Sequence, residues 1–177
     1  MNDVCLETAR LALIPLAQQF ADDMYDGLRS PTLYQYVADV PPPSREWLRE
    51  RYRRLETRRS PDASELWLNW LLHEKMTGRF VGYVQATVKD RSASVAYLLF
   101  SNAGGVGYAH EAVGRMLLGL ERDYGTKEFT ATVHVGNRRS IRLLERLGFT
   151  RRSFTKNAEV IGGEPTDEYR YTLSLEH

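Results

Sequence analysis

Three glycines in four positions, "GGVG" at 104–107, separate a β-rich run, "SASVAYLLF" (92–100), from an amphipathic pattern opening at "YAHEAV". Glycine admits positive φ and lets backbone approach a ligand with no Cβ between them. A helix starting here leaves its first amides without intrahelical partners and carries partial positive charge at that end. Strand, glycine loop and helix start together make a site for an anion. Two phosphate loops fail to match. A P-loop needs Gly-Lys, and the chain has no such pair. The dinucleotide pattern G-x-G-x-x-G would begin at Gly105, but its third glycine position is His110. The strands before it also read as antiparallel. From the loop alone, a tight chain reversal with no ligand remains the plain alternative.

The loop needs a frame, and periodicity outlines one. "RLALIPL" (10–16) alternates and reads as a short strand stopped by Pro15. Residues 17–30 read as a helix ended near Gly27 and Pro31. Residues 31–43 read as a short structured piece closing in a proline block that no helix interior accepts. Ser44 is the N-cap for a helix over 45–59, with Trp47, Leu48, Tyr52 and Leu55 on its buried side. Residues 65–74, 79–90 and 92–100 read as strands, the last two as a hairpin through Asp90-Arg91. A helix over 107–123 sets Val113, Met116, Leu117 and Leu120 on one face. "EFTATVHV" (128–135) is a strand. Residues 137–149 form a helix capped by Asn137 and closed at Gly148. "RRSFTKNAEV" and "DEYRYTLSL" close the chain as an antiparallel pair. One mixed α/β domain over 1–174 follows. The final "LEH" (175–177) reads as the remnant of an affinity tag.

Composition limits the partners. The chain has 177 residues, long enough for one domain that buries roughly 70% of its unfolded surface. Lys+Arg 24 against Asp+Glu 23 leaves a net charge of +1, which disfavours a purely electrostatic nucleic-acid binder. A single cysteine, Cys5, excludes an internal disulfide and a cysteine-rich metal site, and suits a reducing, cytoplasmic setting. The opening "MNDVCLETARLAL" does not read as a signal peptide. No run approaches the roughly 18 apolar residues of a membrane span. The arginines of 45–59 alternate with Glu46, Glu50 and Glu56. They read as a solvated face laced with ion pairs, with RNA contact the sharper alternative.

A second segment, "VHVGNRRSIRLLERLGF" (133–149), adds to the loop. Together they resemble the GNAT N-acetyltransferase superfamily. Its cofactor motif, Q/R-x-x-G-x-G/A after a strand, aligns on Gly104, Gly107 and Ala109. Its second motif, an asparagine after a strand and a helix ending Leu-Gly-Phe, aligns on Asn137 and on Leu147, Gly148 and Phe149. The resemblance spans nearly the whole chain and is strongest to the branch that includes ribosomal-protein-alanine N-acetyltransferases. It implies an α/β (α+β) fold: a mixed, mostly antiparallel sheet with helices on both faces and a splayed parallel strand pair. That pair falls here on 92–100 and 128–135. Acetyl-CoA would lie in the wedge, its pantetheine beside backbone near Tyr97 and Leu99, its pyrophosphate on the amides of Gly105, Val106, Gly107, Tyr108 and Ala109. The implied partners are acetyl-CoA and an amine acceptor, with no metal and no membrane; a homodimer is compatible. The alternatives are a CoA-binding module without catalysis and a ribosome- or RNA-associated protein.

Three positions depart from the family. Gly104 stands where Gln or Arg is usual, Val106 where a cation is common, and Leu144 where a tyrosine often serves as acid toward the thiol. Three or four amides donating to a charged oxygen contribute about 1.5–3 kcal/mol each. One exposed cation adds about 0–1 kcal/mol. Binding is therefore expected to survive, with Arg138, Arg139 or Arg142 as replacement phosphate contacts. By the same resemblance Ser140 replaces the missing acid, and Asn137 either bonds the pantetheine or only caps its helix. The base is open between His134, Glu65, His73 and a water relay. Trp67, Trp70, Tyr34 and Tyr36 are candidates for an acceptor pocket, or ordinary core.

Overall fold

The computed structural model describes residues 5–175. Alternation decides how its strands face. Along β5 (Ser92–Leu99), Ala93 and Val95 are buried on one side, with Tyr97 and Leu99 packed behind them, while Leu98 turns to the other. The same alternation orients β3 (Leu66–Glu74), β4 (Phe80–Lys89) and β6 (Glu128–His134). With β1 (Leu6–Glu7), β2 (Leu11–Pro15), β7 (Thr150–Ile161) and β8 (Glu164–Ser174) they form one eight-stranded sheet, ordered β1-β2-β3-β4-β5-β6-β8-β7. Every neighbouring pair is antiparallel except β5 with β6.

Helices cover both faces. On one lie α3 (Tyr108–Tyr124) and α4 (Arg138–Arg146), with Met116, Leu120, Leu144 and Phe149 packed on Leu72, Val84, Phe129 and Tyr171. On the other lie α1 (Ala21–Leu28) and α2 (Arg45–Leu55), where Met24, Leu48 and Tyr52 meet Leu71, Leu98 and Phe100.

The expected elements are present, with differences that have local causes. The helix expected over 17–30 is a 3-10 turn at Gln18–Phe20 followed by α1, since Ala17 offers no capping side chain. Gly27 lies inside α1 rather than ending it. A Cβ there would overlap the Phe100 ring, so this glycine admits a core aromatic. Helix α2 starts at Ser44, whose Oγ accepts from the Trp47 amide at 3.1 Å. It stops at Leu55 rather than near 59: Arg58 adopts φ 60°, and Arg59 bridges to Leu66 as added sheet. Strand β1 was not expected; two residues are too short for a periodic signal. The opening residues 1–4, read as lacking a signal peptide, lie outside the described residues, as do 176–177 of the proposed tag. Leu175 donates its amide to the Lys127 carbonyl at 2.9 Å.

Among the described residues one buried side-chain oxygen, Thr126 Oγ1, has no hydrogen-bond partner. An unmet buried hydroxyl costs about 1–3 kcal/mol, and valine keeps the shape without it. Thr126→Val is expected to raise the melting temperature by a few degrees; an unchanged or lower value would mean the hydroxyl is satisfied in solution.

Candidate active site

The parallel pair closes only at its beginning. Ser92, Ala93 and Ser94 pair with Glu128, Phe129 and Thr130. Past that point β5 stays with β4 as far as Leu99, and β6 stays with β8 as far as His134. Each strand is held by its outer neighbour, so a gap opens between Val95–Leu99 and Ala131–His134. The loop of 104–107 stands at its mouth, entered through a 3-10 turn at Ser101–Ala103 and left through α3.

This loop is an array of donors. Gly107, with φ 89°, occupies the N-cap of α3 and provides no side-chain cap. Such a left-handed N-cap suits glycine, because a Cβ would strain the backbone. Among the described residues, no group accepts from the amides of Gly105 through His110; the first helical bond is Glu111 N–H to Gly107 O at 3.2 Å. The far side of the loop is fixed by Arg10. Its Nη1 donates to the Val106 carbonyl at 2.9 Å, its Nε donates to Glu111 at 2.7 Å, and its guanidinium lies 4.6 Å over the Tyr108 ring. The Tyr108 hydroxyl donates to Glu74, so Tyr108 offers the loop only its amide.

A cation from α4 stands beside Gly104. A Cβ at Gly104 would lie 2.7 Å from Arg139 Nη1, so the guanidinium occupies the space that a larger residue at 104 would take. Arg139 also acts electrostatically on the Tyr97 phenol. Arg138 and Arg142 are exposed on α4, and the Val106 side chain is 53% exposed.

The gap has two chemically distinct sides. On the α4 side, Tyr97 Oη and Ser140 Oγ share a hydrogen bond of 2.7 Å from β5 to the first turn of α4. Burial pushes the phenol above its ordinary value, against opposing contributions from Ser140 and Arg139. Asn137 Oδ1 accepts from the Ser140 amide at 3.1 Å, making it the N-cap of α4. Leu144, in the slot of the absent tyrosine, is buried core at 2% exposure.

On the α1–α2 side stands His134. Its Nδ1 accepts from the Gly136 amide at 2.9 Å, which places a neutral ring's proton on Nε2. The Tyr36 ring lies 5.1 Å from it. Directly opposite on β8 is Glu168. Burial raises its carboxyl above the usual range; the Glu159 charge adds to this and His134 opposes it. Beneath the loop that carries Tyr36 is a cavity whose lining includes Tyr34, Asp39, Trp47, Arg51, Tyr52 and Tyr83.

Other candidates fall elsewhere. Glu65 sits at the far end of the sheet, before Leu66, and accepts from Trp67 Nε1 at 3.2 Å. His73 lies on β3, two strands from β5, with its ring against Phe80 at 5.2 Å. Trp70 is core on the α3 side. The α2 arginines are ion-paired, but mostly across to other elements rather than at i,i+4 along the helix: Arg45 to Asp26, Arg49 to Asp22 and Arg51 to Asp39, with Arg53 to Glu50 one turn back. Sequence reasoning missed Glu168 and the Tyr97 side chain. Both stand on strands that the sequence marked; only the fold puts Tyr97 on the strand that edges the gap and Glu168 opposite His134, one strand beyond it. Among the described residues no three His, Cys, Asp or Glu side chains are grouped to hold a metal, and no helix is long and apolar enough to cross a membrane.

The site is thus a mixed sheet opened at its one parallel pair, with unpartnered amides at the mouth. Residues 10–150 match the acetyltransferase (GNAT) domain model, and the chain belongs to that family of acetyltransferases. Among curated proteins none matches the sequence. Solved structures share the fold. A GNAT-family acetyltransferase from Bacillus anthracis is 18% identical, with TM-score 0.80 over 97% of this chain and 98% of that one. RimL, a ribosomal L7/L12 alpha-N-protein acetyltransferase solved with coenzyme A, is 17% identical, with TM-score 0.87 over 97% and 98%. The ribosomal-protein-S5-alanine acetyltransferase from Vibrio fischeri is 17% identical, with TM-score 0.81 over 97% of each chain.

Proposed function

We propose that the protein moves the acetyl group of acetyl-CoA to a primary amine by direct attack within a ternary complex in the cytoplasm. The observation that carries this reading is the gap between β5 and β6, with the unpartnered amides of Gly105 through His110 at its mouth. Those amides and Arg139 would hold the diphosphate, and unpaired backbone of Val95–Leu99 would take the pantetheine as an added strand.

The amine must reach the thioester uncharged. The α1–α2 side carries the groups for that step. Glu168, opposite His134, takes the proton as the amine attacks. His134, through Nε2, and Tyr36 orient the acceptor. A base with a raised carboxyl value is better matched to an ammonium than an ordinary surface glutamate. This reading moves the base from His134 to Glu168. The acceptor is a small amine or a protein N-terminus entering beneath the 31–43 loop.

The test is release of free CoA thiol from acetyl-CoA over a panel of amines, N-terminal peptides and polyamines, with calorimetric CoA binding alongside. Turnover with at least one amine is expected. CoA binding with no turnover on any amine would leave a binding module in place of an enzyme.

A further inference from the structure

The family's usual thiol-side tyrosine is absent, and leucine fills its slot as core. A phenol nevertheless reaches the α4 side of the gap, from β5. Resting on the acetyltransferase reading above, we propose that Tyr97 is a positioning residue: its hydroxyl donates to Ser140 Oγ, and so aims the Ser140 proton into the gap as the hydrogen-bond donor for the departing thiolate.

The polarity follows from acidity. A phenol titrates near 10 and is a much stronger acid than an aliphatic hydroxyl, so in a pair 2.7 Å apart the tyrosine is the preferred donor. The Ser140 proton is then left for a third partner. Chains of this kind strengthen one another in a medium of low polarity. The Ser140 amide is held by Asn137, which fixes the first turn of α4 beneath the hydroxyl. Tyr97 is itself fixed by the β4 pairing of its backbone, opposite Val84. Burial keeps the phenol protonated and therefore a donor.

The step balances without another reactant. The amine nitrogen bonds the acetyl carbon, the C–S bond breaks, and its electron pair stays on sulfur. The proton lost by nitrogen passes to Glu168. The thiolate is held by the Ser140 hydroxyl until water protonates it, since a thiol titrates above neutral pH, and Glu168 gives its proton back to that water, which restores the carboxylate and leaves no net hydroxide. Tyr97 and Ser140 begin and end the cycle neutral.

The proposal is tested with Ser140→Ala, Tyr97→Phe and the double variant. Removing one donor aimed at developing charge costs about 10²-fold in kcat, expected for Ser140→Ala. Tyr97→Phe keeps the ring and loses only the donor behind Ser140, expected to cost about tenfold. The double variant is expected to match Ser140→Ala alone, because the phenol acts only through the serine. CoA affinity, measured without acceptor, is expected to stay within about threefold in all three, which also reports that they fold. Ser140→Thr is expected to restore part of the rate. Multiplying effects in the double variant, or a Tyr97→Phe enzyme with normal kcat, would overturn the chain. No CoA binding by the wild-type protein would instead sink the acetyltransferase reading.

Discussion

Gly107→Glu is expected to weaken acetyl-CoA binding by more than 10²-fold while leaving the far-UV spectrum unchanged. Two effects add. The residue sits at φ 89°, where an L side chain costs about 1–2 kcal/mol of backbone strain. The new carboxylate would also stand beside amides that otherwise face a diphosphate, so it competes for them and repels the ligand. A Cβ alone meets only Arg10 Nη2, at 3.4 Å, an ordinary contact. Gly107→Ala therefore isolates the strain and is expected to lose about tenfold. Calorimetry on both variants separates geometry from charge. Equal affinity of Gly107→Glu and wild type would remove the loop from the binding site.

Glu168→Gln is expected to lower kcat by about 10²–10⁴-fold, the range for a removed proton acceptor, with CoA affinity unchanged. The pH profile supplies the sign. The acting form is the carboxylate, and burial raises its titration in the folded chain. Wild-type kcat/KM should therefore fall as pH drops through that raised value, and the acid limb should disappear in the variant. Linkage gives a second readout. A carboxyl raised on folding favours the folded state when protonated, and that contribution is lost as pH rises through the folded value. Replacing it with a neutral amide should raise the melting temperature at pH 7 and give little gain below the ordinary glutamate range. Lower activity with higher stability fits a proton acceptor held where burial disfavours its charge. Loss of both would make Glu168 a structural partner of His134.

The loop and the strands around it were readable because their signals are local. Glycine spacing, the Ser44 and Asn137 caps and the alternation of 92–100 each depend on residues a few positions apart. The gap is different. Nothing in "SASVAYLLF" or "EFTATVHV" records that their pairing stops at Ser94 and Thr130. That depends on β4 and β8 gripping the outer edges. Likewise Ser140 was visible through its place after Asn137, but its Tyr97 partner is 43 positions away and belongs to another element. Arg139 shows the same limit. The sequence offers Arg138, Arg139 and Arg142 on one helix, and only the fold shows that Arg139 is the one beside Gly104. His134 was chosen for its residue type, and the Gly136 amide then decides which ring nitrogen is available.

The short zip of Ser92–Ser94 against Glu128–Thr130 has a mechanical meaning. Five strands lie to one side of this seam and three to the other, and few main-chain bonds join them. Main-chain pairing across this seam is confined to its first three residues, and the coenzyme proposed above would lie along the rest of it. A bound arm bridging both edges would act as a stitch, turning two half-sheets into a single elastic body and setting the distance between the acceptor side and the thiol side. The substrate would thereby complete the rigidity that its own reaction requires.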